Sequence, residues 1–159
     1  MHEQAFKILE YPELRTLIRR GAQTPMGQAR VDQLQPLGSL AELSAALAAV
    51  AEAVSLRNRG GAWTFSELGD PTEKLSLLRV VGTILEPGAI LEIRSLCDQA
   101  MSARASILAE RETSPVLWRL VGSLPVELNS LSARIANKIL PSGELDVRIR
   151  EFLSFAILR

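Results

Sequence analysis

The side chains in this 159-residue sequence that could do chemistry are few, and their spacing narrows them further. His2 is the only histidine and Cys97 the only cysteine. A general base must be held within hydrogen-bond reach of its proton, which a residue at a fraying terminus is not, so His2 reads as a bystander. Cys97 falls in the middle of an apolar helical pattern, with no histidine or helix start nearby to lower its pKa, and reads as a buried, inert thiol. One thiol and one histidine cannot build a structural zinc site, and a lone cysteine cannot close an internal disulfide, which fits a reducing compartment. The carboxylate pairs Glu110 with Glu112 and Glu92 with Asp98 stand two and six residues apart, spacings that do not share a helix face, so they read as solvated rather than as acid–base or metal pairs.

Arginines give a different pattern. Arg15 and Arg19 are four residues apart and meet on one helix face, Arg20 follows directly, and Arg57 and Arg59 precede a glycine pair. Clusters of this kind suit phosphate contacts. They equally suit the negative ends of helices, which both runs occupy. No GxxxxGK phosphate loop followed by Ser or Thr and no GxGxxG fingerprint occurs, so backbone amides arranged around a triphosphate or dinucleotide are not signalled. The chain is expected to hold no catalytic residue, metal or cofactor of its own.

The elements that position these residues read as helices. Aromatic residues make up 4% of the chain, and 47% of it is hydrophobic, rich in alanine and leucine, a composition of packed helices rather than of a sandwich or barrel. Phe6, Leu9, Leu14, Leu17 and Ile18 fall at helical spacing around Pro12, which predicts a broken pair of helices ending at Gly21. Thr24-Pro25 opens a short helix that ends before Pro36. Ser39 and Glu42 form a capping box at the head of an alanine-rich helix, whose Leu40, Leu43, Leu47, Val50 and Val54, extended by Ala46 and Ala53, make one apolar stripe, the alanines letting a neighbouring helix approach closely. Residues 60–71 read as an ordered loop pinned by Trp63 and Phe65, aromatics that could also stack on a base but suit burial better. Asp70-Pro71 predicts a helix of about ten residues. Pro87-Gly88 begins the longest helix, with Ile90, Ile93, Leu96, Cys97, Ala100, Met101, Ile107 and Leu108 near one face. Ser114-Pro115 and Pro125 each begin a further core-packed helix. Pro141-Ser142-Gly143 lies between two short apolar runs and leaves a small hairpin near 137–146 and a tight helix-to-helix turn both open. The expectation is an all-α, multi-helix bundle forming a single domain over 1–159.

Lysine plus arginine and aspartate plus glutamate each total 18, so no global basic field draws the chain to nucleic acid and any DNA contact is local and weak. The apolar runs are too short to span a bilayer and no secretory leader is present at the start, which predicts a cytoplasmic protein without membrane contact. The apolar residues near the end, Phe152, Leu153, Phe155, Ile157 and Leu158 in the tail 152–159, are expected to serve self-association.

In order along the chain, ILEYPELRTLIRRGAQTPMGQARVDQLQPLGSLAEL, the loop RNRGGAWTFSELGD, Leu85 to Pro87 and ILPSGELDVRIREFL resemble the amino-terminal part of the type II MutS proteins, bacterial relatives of the mismatch-repair MutS. The resemblance covers most of the chain and rests on dispersed hydrophobic, glycine and proline positions. It implies a helical core and lever region of a homodimeric, DNA-associated ATPase linked to suppression of recombination and, in some members, to nuclease activity or stalled ribosomes. ATP and magnesium are implied only for the full-length family, because its phosphate loop and nuclease module find no matching positions here. The family's turn leads into a long charged helix, whereas this sequence continues into FAILR, so a natural short form is expected rather than an excised domain. A helical interaction or dimerisation module without DNA function is the alternative expectation, favoured by the neutral charge.

Overall fold

The computed structural model describes residues 2–61, 65 and 67–145, with the backbone alone at 2, 3 and 5. Trp63 and the tail 152–159, with Phe152, Leu153, Phe155, Ile157 and Leu158, lie outside the described residues, as does the side chain of His2. The described residues are all-helical: α1 (His2–Ile8), α2 (Tyr11–Gly21), α3 (Pro25–Asp32), α4 (Leu40–Asn58), α5 (Thr72–Leu77), α6 (Pro87–Ala109), α7 (Pro115–Val121) and α8 (Glu127–Ala136). The chain divides into two compact units, Met1–Leu47 with Phe65–Asp70, and Ala48–Thr64 with Pro71–Arg159.

In the first unit the helix ends follow local chemistry. Pro12 sits in the first turn of α2, where its missing N–H costs nothing, and the chain breaks just before it, at Glu10 in the left-handed region (φ 50°). Thr24 caps α3 by accepting the Gly27 N–H at 3.1 Å, and Pro25 follows at the first helical position. The Glu42 N–H donates to the Ser39 hydroxyl at 3.2 Å, which is the serine half of the expected capping box. Helix α2 packs on α3 and on α1, where Phe6 stacks on Tyr11 with ring centroids 5.1 Å apart. Leu14, Leu17 and Ile18 nevertheless stay exposed on α2. In the 60–71 loop, the Phe65 N–H donates to Gln23 Oε1 at 3.3 Å, and Leu68 is buried.

The second unit is organised around α6, the longest described helix as expected, which packs on α8 and α7. Its buried residues are Cys97, Met101, Ala103 and Ile107, while Leu108, expected on the same face, is turned outward. Leu56, Ile107 and Leu117 form the core cluster, flanked by Ala53, Trp118 and Val121. Only part of α7 is core-packed, since Leu117 is buried and Leu120 is exposed. Helix α5 is six residues rather than about ten. Tight turns at Ser76–Arg79 and Leu77–Val80 replace its continuation, where β-branched Val80 and Val81 and then Gly82 (φ +86°) all disfavour helix. At 139–145 the smaller of the two expected turns forms: Ile139 and Leu145 make an isolated antiparallel bridge. The Gly143 N–H donates to Leu140 O and the Leu140 N–H to Glu144 O, both at 2.8 Å, with Gly143 at φ +86° supplying the left-handed residue of a three-residue hairpin loop.

The apolar stripe of α4 faces outward. Leu40, Leu43, Leu47, Val50 and Val54 are all exposed, whereas Leu56 is buried and Ala49, Glu52 and Ala53 are half-buried.

Candidate functional site

The five candidate arginines are divided between the two units and are held in different ways. On α2, Tyr11, Arg15 and Arg19 recur every four residues and line one face. All three reach the end of α3. The Tyr11 hydroxyl donates to Leu34 O at 3.0 Å, Arg15 Nη1 donates to Asp32 O at 3.0 Å, and Arg19 Nε pairs with Asp32 Oδ2 at 3.1 Å. The Arg15 guanidinium also lies 5.7 Å from the Tyr11 ring centroid. A cation over the last carbonyls of a helix complements the negative end of its dipole, so Arg15 and Arg19 act here as a clasp between two helices. Arg20 points away from that clasp and makes no hydrogen bond or ion pair among the described residues.

In the second unit Arg59 is similarly engaged. Its Nη2 pairs with Glu110 Oε2 at 3.1 Å and donates to Thr113 Oγ1 at 3.2 Å, while its Nη1 donates to Ser55 Oγ. Thr113 Oγ1 in turn donates to Glu110 Oε2 at 2.9 Å, closing a small network after α6. The surface beside it is an open concavity of about 410 Å³ lined by residues 108–113. Arg57, two residues earlier, is exposed and has no hydrogen-bond or ion-pair partner among the described residues. Of the five candidates, only Arg20 and Arg57, one in each unit, have no bonded partner among the described residues. Arg15, Arg19 and Arg59 carry structural bonds that a phosphate would have to compete with or join.

Sequence spacing misses the most constrained charge. Glu52, in the middle of α4, accepts the N–H groups of Val116 and Leu117, each at 2.9 Å to Oε2, at the first turn of α7. Nothing local signals this, because its partner lies 64 residues away. The pair Glu92 and Asp98 is also used elsewhere. Lys74 bonds to Glu92, and Asp98 accepts from the Ser132 hydroxyl while lying 3.6 Å from Arg94 Nε. No group of three or more His, Cys, Asp or Glu side chains stands close enough among the described residues to hold a metal ion. Cys97 is buried, and burial together with the Asp98 carboxylate pushes its thiol pKa up, away from the thiolate a nucleophile needs. Among the described residues no helix is long and apolar enough to cross a membrane.

No family model matches the chain, and no solved structure matches it. Two curated proteins are similar along nearly its whole length. Endonuclease MutS2 of Clostridium acetobutylicum is 26% identical over 147 residues, and Endonuclease MutS2 of Clostridioides difficile is 24% identical over 148. Each similarity covers 91% of this chain but 18% of the relative, so the chain spans less than a fifth of the length of the curated relatives it matches. The similarity is therefore to one MutS-related region of a much longer protein.

Proposed function

We propose that the chain is a non-catalytic helical scaffold of the MutS type, a core and lever region that couples DNA engagement to an ATPase supplied by other segments. The observation that carries this reading is the similarity to the MutS2 endonucleases, which runs through 91% of the chain while taking in only 18% of theirs. An all-helical architecture suits the role, because packed helices move as rigid levers and transmit displacement. The arginine clasp on α3 serves the same purpose by fixing α2 against its neighbour.

On this reading DNA contact by the isolated chain is weak and local, made through Arg20 and Arg57, whose charges are not spent on bonds among the described residues. A salt titration of fluorescent duplex and branched DNA is the test. Affinity in the micromolar range that weakens steeply as salt rises supports direct engagement. An absence of binding at low salt would remove DNA contact from this chain's role and leave the mechanical part alone. The second reading, a helical protein–protein interaction module, is favoured by the exposed leucine and valine stripe of α4.

A further inference from the structure

The joint between α1 and α2 and the chain leaving α3 line an open groove of about 400 Å³, and all of it belongs to the first unit. Its floor is apolar, because Phe6 stacks on Tyr11 and Pro12 stands beside them. Its rim is cationic, with Lys7 from the last turn of α1 and Arg15 from α2, while Gln35 adds a neutral amide. No acidic residue stands among the described lining residues. The walls are tied together by the Tyr11 hydroxyl on Leu34 O and by Arg15 Nη1 on Asp32 O, each at 3.0 Å. A groove braced in this way loses little freedom when it is filled. Its remaining donors are unspent. Among the described residues Arg15 hydrogen-bonds only through Nη1, and the side chains of Lys7 and Gln35 have no hydrogen-bond or ion-pair partner. The carboxylate of Asp32, whose carbonyl Arg15 holds, is already paired with Arg19.

We propose that this groove docks an acidic peptide segment of a partner protein, which lays an apolar side chain on Phe6, Tyr11 and Pro12 and sets a carboxylate between Lys7 and Arg15. Charge complementarity selects that occupant. A carboxylate accepts hydrogen bonds from a guanidinium and an ammonium together, whereas a neutral or basic segment leaves both cations facing it without a counter-charge. A nucleic-acid strand fits less well. Stacked bases need a free aromatic face, and the Tyr11 ring is already engaged by Phe6, at 5.1 Å between centroids, and by Arg15, at 5.7 Å. A phosphate backbone also needs a track of cations, and the groove offers two. Its volume is at the lower end of ligand sites, and its open form takes side chains from an extended segment rather than engulfing a free small molecule. The proposal does not depend on any role in DNA metabolism or on how the two units are arranged.

The test is fluorescence anisotropy on the full chain with labelled octapeptides that carry one leucine, phenylalanine, tyrosine or tryptophan among glutamates, and with their lysine counterparts. The expected result is saturable binding of an acidic peptide with a dissociation constant below about 1 mM, weakening as salt rises, and no saturation by the lysine set. Lys7→Glu should raise that constant about fivefold or more, Lys7→Gln should raise it in the same direction, and Lys7→Arg should preserve binding. Arg30→Glu is the control. Arg30 is exposed, stands in the last turn of α3 as Lys7 does in that of α1, and lies outside the groove, so the same change in net charge there should alter binding less than twofold. Circular dichroism checks that each variant keeps its helix content. No saturable binding of any acidic peptide, equal binding of the lysine set, or an Arg30→Glu effect as large as that of Lys7→Glu overturns the site. A labelled oligothymidine that binds more tightly than every acidic peptide, and loses affinity with Lys7→Glu, overturns the peptide as its occupant.

Discussion

The Glu52 carboxylate caps a helix far along the chain, accepting the N–H of Val116, 64 residues away, at 2.9 Å and the Leu117 N–H at 2.9 Å. The residue at the cap position itself, Ser114, makes no side-chain capping bond although it is completely buried. A carboxylate at the positive end of a helix satisfies donors that otherwise have no partner and gains from the dipole.

Removing that carboxylate should therefore leave two amides of α7 unsatisfied in a half-buried place. Glu52→Ala is expected to lower the unfolding free energy by about 1–3 kcal/mol, and Glu52→Gln, which keeps an acceptor but not the charge, by less. Urea denaturation of the three proteins measures the order. Equal midpoints for the wild type and the alanine variant would show that the cap contributes nothing.

Gly61 is fixed by a close approach. A Cβ at this position would stand 2.5 Å from Leu56 Cδ1 and 3.0 Å from Leu56 O. Leu56 is 1% exposed and wedged against Ile107 and Leu117, so it has nowhere to retreat. Gly61→Ala should cost about 1–3 kcal/mol through overpacking. Gly21→Ala, with nothing within 4 Å of the added methyl, should instead stabilise by about 0.5–1 kcal/mol. Thermal melts that rank the two variants the other way would remove the steric account.

What could be read in the sequence and what could not divide along the range of the interactions. The caps at Thr24 and Ser39, the prolines heading α2, α6 and α7, and the Pro141-Ser142-Gly143 turn depend on bonds within a few residues, and each stands where the spacing places it. The direction of α4 is a different kind of fact. Periodicity locates its leucine stripe but not the face that packs, and the packed face is selected by Leu56 in the core cluster and Glu52 at the start of α7. Arg15 and Arg19 share a face as their spacing requires, yet their partner Asp32 belongs to another helix. A lone glutamate in an alanine-rich helix reads as solvated, which is why Glu52 is invisible before the fold is known.

The α2 arginines should separate by function when substituted one at a time. Arg19 and Asp32 are each about half exposed, at 47% and 53%, and such a pair is worth about 0–1 kcal/mol and less in high salt. Arg19→Ala is expected to lower stability by no more than that, with the loss shrinking as salt rises. Arg20→Ala, which removes no bond seen among the described residues, should leave the melting temperature unchanged while lowering any DNA affinity and the steepness of its salt dependence. An Arg20→Ala protein that melts several degrees lower would assign this residue a structural role instead.

Cys97 gives a prediction whose sign is set by its surroundings. Burial, and then the adjacent Asp98 carboxylate, both penalise the thiolate and raise the folded-state pKa above the unfolded one. The folded protein then holds the thiol proton more tightly than the unfolded chain, so the stabilisation is complete below the unfolded pKa of about 8.5 and is lost as pH rises through the folded value. Denaturation midpoints should accordingly be insensitive to this group at neutral pH and fall in the alkaline range, and Cys97→Ala should remove the part of that fall due to the thiol. The native thiol should also react with a disulfide reagent only as fast as the chain opens, with a rate that rises with denaturant. Rapid labelling of the native protein at neutral pH, at the speed of a free thiol, would mean that the thiol is neither buried nor raised in pKa.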